Sequence, residues 1–122
     1  MTTALHQRYI DEIKRYGTFE DDWDGDGGLA AKPEDIQLAI QLLDLWPKNL
    51  PLICPMIGNK GTIGFYIDTG DYYMDIEIEK DQNVSVYVRS LIDEKQEKFF
   101  ENLPIDKDLT KVLNDIVKQY DK

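Results

Sequence analysis

Ile63-Gly64-Phe65-Tyr66-Ile67-Asp68, Tyr73-Met74-Asp75-Ile76-Glu77-Ile78-Glu79 and Val84-Ser85-Val86-Tyr87-Val88-Arg89 decide the fold of this chain. In each stretch apolar residues alternate with polar or aromatic ones, the period of a β-strand with one buried face. Thr69-Gly70-Asp71 and Asp81-Gln82-Asn83 separate the stretches, and Gly58-Asn59-Lys60-Gly61 precedes the first of them. These are turn compositions of hairpin length. Leu52 to Ile57 is a further short apolar strand ahead of them. Three short turns joining four alternating strands predict an antiparallel meander.

Outward from the meander the apolar period changes to that of helices. Leu5, Tyr9, Ile13 and Tyr16 predict a helix over 3–16, with Gly17 as its stop. Pro33 suits the first turn of a second helix, with Glu34 and Asp35 near its positive dipole end. Ile36, Ala39, Ile40 and Leu43 form its stripe, widened by Leu42, Leu45 and Trp46, and Pro47 ends it. After the strands, Leu91 to Asn102 is strongly charged and reads as a helix anchored by Leu91, Phe99 and Phe100. Beyond Pro104, Asp106 or Asp108 suits the cap of a last helix bearing Leu109, Val112, Leu113, Ile116, Val117 and Tyr120. The expected fold class is α+β and two-layered: a four-stranded antiparallel β-meander covered on one face by N- and C-terminal helices. Residues 1–122 form one domain, and 42% hydrophobic residues suffice for a real core.

Twenty-four acidic residues against 14 basic ones give a net charge of -10. Such a chain repels phosphates and attracts cations or basic protein surfaces. The expectation is a basic protein partner and no direct nucleic-acid binding. Met1 to Arg8 has no apolar leader core, and no apolar run reaches membrane-spanning length. A cytoplasmic protein without membrane contact is expected. Its oligomeric state is not encoded in any pattern seen here. Cys54 is the one cysteine, so neither an internal disulfide nor a thiolate zinc site can form, and it reads as a small core residue. His6 is the one histidine and reads as a surface residue. No nucleophile–base–acid arrangement and no phosphate-binding glycine loop is present. The chain reads as a non-catalytic binding protein of the antitoxin, immunity or phage-inhibitor kind.

Two acidic regions are candidates for its site. The solvent face of the meander carries Tyr66, Tyr73, Asp75, Glu77, Glu79 and Tyr87. A face made for solubility alone mixes charge signs, whereas tyrosines among carboxylates offer rigid area, hydroxyl donors and a field for cations. These six are the expected partner-binding residues. The C-terminal helix is left able to reach this face. The second region is the loop Asp21-Asp22-Trp23-Asp24-Gly25-Asp26-Gly27-Gly28. With Asp22 as position 1 of a calcium loop, Asp24 and Asp26 fall at positions 3 and 5 and Gly27 at position 6. The closing glutamate fails, because position 12 is Pro33, and Glu34 is the nearest replacement. Calcium is therefore the alternative ligand, through Asp22, Asp24, Asp26 and Glu34, with no other cofactor expected.

The same loop resembles a family of small, uncharacterised bacterial proteins marked by a Trp-Asp-Gly-x-Gly-Ala loop, a proline-led helix and glycine-punctuated strands. Trp23-Asp24-Gly25-Asp26-Gly27 matches the loop, with Gly28 where alanine usually stands. Pro33, Leu50-Pro51-Leu52, Pro55, Gly61-Thr62-Ile63-Gly64-Phe65 and Met74-Asp75-Ile76-Glu77-Ile78 match the elements that follow. The resemblance spans about residues 20–89 and brings no activity with it. It implies that the positions of Asp22 and Asp26 need not be acidic. It also implies that Trp23 packs into the core while Asp24 and the glycines shape the loop.

Overall fold

The computed structural model of the protein describes residues 3–93 and 96–120. Helix α1 is Ala4–Tyr16 and α2 is Pro33–Leu45. Strands β1 (Cys54–Ile57), β2 (Ile63–Asp68), β3 (Tyr72–Ile78), β4 (Val84–Ser90) and β5 (Glu97–Leu103) follow, and α3 (Leu109–Lys118) closes the fold. The class is α+β, and the strands form one antiparallel sheet in the order β1-β2-β3-β4-β5.

Local chemistry explains the helix ends. Thr3 caps α1 by accepting the His6 N–H on its hydroxyl at 3.0 Å, which satisfies one of the unpaired N–H groups of the first turn. Pro33 opens α2, followed by Glu34 and Asp35 at the positive end.

The stretch expected as a helix over 91–102 is instead a fifth strand. Glu94 and Lys95 of that stretch lie outside the described residues, as do Met1, Thr2, Asp121 and Lys122 of the expected domain. Its residues are good helix formers, but β4 would otherwise be an edge, and pairing overrides propensity. Phe100 stands opposite Val86 and packs on the core, while Phe99 stands opposite Tyr87 and points to the other face. A register shift between Val84 and Val86 is absorbed on β5, where Asn102 adopts a left-handed φ of 60°.

The core is one cluster. Ile63, Phe65 and Ile67 of β2, Tyr72, Met74, Ile76 and Ile78 of β3, and Val84, Val86 and Val88 of β4 supply its sheet side. Ile13 and Tyr16 of α1, Ile36, Ala39, Leu42 and Leu43 of α2, and Leu109, Leu113, Ile116 and Val117 of α3 join them. Trp46 is buried with its indole N–H donated to the Pro51 carbonyl at 2.8 Å. Among the described residues no helix is long and apolar enough to cross a membrane.

Candidate functional site

Antiparallel pairing brings the second set of alternating residues into rows across the sheet. Cys54 stands opposite Tyr66, Tyr66 opposite Asp75, Asp75 opposite Tyr87, and Tyr87 opposite Phe99. Beside this row lie Met56, Gly64, Glu77 and Ser85 on one flank, and Asp68, Tyr73, Arg89 and Glu97 on the other. Five of the six expected contact residues therefore share one face of the sheet. Glu79 lies one residue past β3, in the turn to β4, where its carboxylate accepts the Ser85 hydroxyl at 2.8 Å.

The face is aromatic and acidic. Phe99 is 58% exposed, Tyr66 41% and Met56 37%, a large apolar area to leave in water on one surface. Phe99 and Met56 are not among the contact residues the sequence pattern marks. Phe99 falls in the stretch expected as a helix, although Glu97-Lys98-Phe99-Phe100 can alternate as a strand, and Met56 lies within an apolar run. Tyr87 donates its hydroxyl to Glu97 at 2.7 Å, and the Arg89 guanidinium lies 5.6 Å from the Tyr73 ring centre. Among the strand positions of this face Arg89 is the one cation.

The carboxylates here are not at ease. Burial pushes the Asp75 carboxyl above the usual range, against a hydrogen bond from Tyr73 that lowers it. Burial also raises Glu77, and the charges of Glu79 and Asp75 raise it further while Lys60 opposes them. Desolvation and like-charge repulsion are the causes expected where negative charge is only partly offset by cations. At the β1 end, the Cys54 thiol contacts Tyr66 and raises its phenol, an effect to which nearby charge and burial add. Cys54 is half-buried rather than in the core.

The acidic loop is arranged differently. Asp24 accepts the N–H groups of Asp26 at 2.9 Å and Gly28 at 2.8 Å on one oxygen, and the Asn59 side-chain amide at 2.8 Å on the other. Asp22 accepts the Gly27 N–H, and Asp21 accepts the Ala30 N–H. Asp21, Asp22 and Asp24 thus satisfy the loop's own backbone, while Asp26 is exposed. A Cβ at Gly28 would lie 2.7 Å from the Asp24 carboxylate, so the glycine found in place of alanine gives that carboxylate room. Trp23 is half-buried outside the core cluster. It stacks on Phe19 with ring centres 5.1 Å apart and donates its indole N–H to the Leu29 carbonyl. Glu34 stands in the first turn of α2. Among the described residues no three histidine, cysteine, aspartate or glutamate side chains form a group able to hold a metal ion.

Hydrogen bonds from Asp26, Asn59 and Gly28 hold the Asp24 carboxyl below its ordinary range. A depressed carboxylate contributes stability above its unfolded pKa and loses it as pH falls through the folded one. Acidification below about pH 4 should therefore loosen the loop before the core, an expectation set by the ordinary aspartate pKa. Trp23 fluorescence checks this, read in a Trp46→Phe background. A change coincident with global unfolding would contradict it.

His6 is not a plain surface residue. Its imidazole Nε2 lies 3.0 Å from Asp44 and is buried, but the contact is misaligned for a hydrogen bond. It borders a cleft of about 220 Å³ together with Leu5, Leu43, Trp46 and Leu50.

No family model matches the chain, and no curated protein and no solved structure matches it. The resemblance carried by the Trp-Asp-Gly loop rests on those residues alone.

Proposed function

We propose that this protein is a small acidic binding protein that engages a basic surface of a partner protein through the outer face of its sheet. Tyr66, Tyr73, Asp75, Glu77 and Tyr87 carry the contact, with Glu79 at its rim and Phe99 and Met56 extending its apolar part. The carrying observation is the row Tyr66–Asp75–Tyr87–Phe99, which sets the Asp75 carboxylate between two tyrosines and ends on the exposed Phe99, with Glu77 on its flank. Aromatic anchors surrounded by complementary charge are the usual make-up of a binding hot spot. A lysine or arginine placed between Asp75 and Glu77 would relieve their repulsion and exclude water from Tyr66 and Tyr87. The helices lie with the buried alternates of the sheet, which supports an uncovered outer face. The net charge supports a basic occupant over nucleic acid.

Charge reversal tests this directly. Immobilised Glu77→Lys protein should retain a basic partner from a cell lysate about tenfold less well than the wild type, on the scale of one reversed contact in a complementary interface. Asp115→Lys, the same charge change on α3, should leave retention unchanged. Equal loss in both variants would show that net charge alone matters and would overturn the assignment to this face.

The same carboxylates should weaken the fold slightly. Glu77 has a folded pKa above its unfolded one, so the folded state holds more protons and stability falls as pH rises through that interval. Glu77→Gln should then stabilise the protein at pH 7 by about 0.5 kcal/mol or less, since solvent screens the charge. That is a rise of about 2 °C in melting temperature. The gain should vanish once the pH is low enough to protonate Glu77. A loss of stability at pH 7 would contradict it. Binding surfaces commonly carry such a penalty in exchange for function.

A further inference from the structure

The two edges of the sheet are finished differently, and the difference selects how the partner docks. In an antiparallel ladder, residues alternate between bonding inward to the neighbouring strand and pointing their N–H and C=O groups away from it. At the β1 edge, the Gly58 N–H bonds to the Thr62 carbonyl, and the register then makes Met56 and Cys54 the inward residues. Pro55 and Ile57 face outward. Pro55 has no N–H, and its carbonyl accepts the Tyr16 hydroxyl at 3.3 Å. A proline with its carbonyl already engaged is a closed edge.

At the other edge, the Ser90 N–H bonds to the Gln96 carbonyl at 2.8 Å. The register makes Lys98 and Phe100 the inward residues, bonded to Val88 and Val86. Glu97 and Phe99 therefore turn their backbone N–H and C=O groups away from the sheet, and among the described residues no strand lies beyond β5. Their side chains lie on the outer face, at the open end of the row through Tyr66, Asp75 and Tyr87. The register shift and the left-handed Asn102 end this open segment.

We infer that the partner contributes an extended, lysine- or arginine-bearing segment that adds to the sheet beside Glu97–Phe100 as a sixth strand. Main-chain hydrogen bonds to Glu97 and Phe99 supply the register, and alternate basic side chains turn onto the outer face beside Glu97. This rests on the reading of that face as a basic-partner site. Charge argues against a second copy of the chain as the occupant. A two-fold pairing centred on Phe99 sets Glu97 against Glu101, and one centred on Lys98 sets Lys98 against itself. Like charges directly opposite are destabilising, and each copy already carries -10.

The test uses a fluorescent octapeptide alternating lysine and threonine, titrated onto the whole protein at physiological salt. Phe99→Pro removes the outward N–H without removing a ladder bond to β4, and Phe99→Ala removes the side chain alone. Phe99→Pro should weaken binding about tenfold more than Phe99→Ala, the scale of lost main-chain hydrogen bonds. Glu97→Lys is run in parallel to probe the charge at this edge, and partner retention by Glu77→Lys tests the face separately. Weakening by both Phe99→Pro and Glu97→Lys supports an added basic strand. Weakening by Glu97→Lys alone overturns the edge pairing and leaves the face reading standing. Weakening by Phe99→Pro alone overturns the basic character of the segment. Weakening by neither overturns the inference, whatever the Glu77→Lys retention shows for the face. If Phe99→Pro fails to fold, amide exchange in the wild type decides: slowed exchange at Glu97 and Phe99 with peptide supports the added strand, and unchanged exchange overturns it. Concentration-dependent dimerisation lost in the Phe99 variants would make a second copy the occupant and overturn the inference.

Discussion

Replacing Phe65 by alanine is expected to destabilise the fold by about 3–5 kcal/mol, the range for emptying a buried aromatic site. Phe65 is fully buried on the inner side of β2, opposite Pro55 and Ile76. Its removal leaves a void bordered by a sheet on one side and helices on the other, and neither can collapse freely. A domain of this size falls by about 3–5 °C per kcal/mol, so the variant should melt roughly 10–25 °C lower. The next residue gives the opposite result. Tyr66→Ala lies on the outer face, and its melting temperature should stay near that of the wild type while partner retention drops. The pair thus separates the two faces of one strand. Equal destabilisation by both variants would mean that the outer face is packed, and would remove the basis for a docking surface there.

Gly61→Ala should be the costliest change outside the core. Gly61 adopts a φ of 78°, and a Cβ there would stand 2.6 Å from the Ala30 carbonyl oxygen. The left-handed conformation costs an alanine about 1–2 kcal/mol, and the collision with backbone adds to it because neither side can rotate away. The expected total is about 2–4 kcal/mol, within the range of strained and overpacked sites. The damage should spread, because this turn anchors the acidic loop: the Leu29 N–H bonds to the Asn59 carbonyl at 2.7 Å, and Asn59 bonds to Asp24. Gly25→Ala is the internal control. Gly25 has a φ of 73° but open space for 4 Å around where a Cβ would stand, so it should show the conformational part alone. Urea unfolding of the two variants measures the difference. Equal costs would mean that the contact between the Gly61 turn and Ala30 contributes nothing.

The meander was legible because its strands have one buried face. Ile63, Phe65 and Ile67, Met74, Ile76 and Ile78, and Val84, Val86 and Val88 write the core in period two, and short polar turns leave few other topologies. The helices at 3–16 and from Pro33 were legible from their stripes and stops. The fifth strand was not. An edge strand buries little, so β5 carries charge and a single partly buried phenylalanine, Phe100, and its local propensity favours helix. Only the pairing offered by β4 decides otherwise, and that pairing is nowhere in the local sequence.

The same distinction separates the two acidic regions. Sequence shows carboxylates at Asp22, Asp24 and Asp26 and at Asp75, Glu77 and Glu79, but not what satisfies them. In the loop, backbone N–H groups and Asn59 do so for Asp22 and Asp24. On the sheet, Asp75 has Tyr73 and Glu79 has Ser85, while Glu77 stands among like charges. Spacing suited to calcium and spacing suited to a tight loop are alike in a sequence, because both place oxygens toward the inside of a turn. Thermal unfolding with millimolar calcium and with chelator should accordingly give the same midpoint. A rise of several degrees specific to calcium would assign the loop to the metal instead.

The central claim is that the outer sheet face, and not the acidic loop, receives basic groups. Amide chemical-shift mapping of the labelled protein with a deca-lysine peptide at physiological salt tests it most directly, since general attraction to a charge of -10 is screened there. Shifts concentrated at Tyr66, Asp75, Glu77, Tyr87 and Phe99 are predicted. Shifts concentrated at Asp21, Asp22, Asp24 and Asp26, with the sheet unchanged, would contradict it.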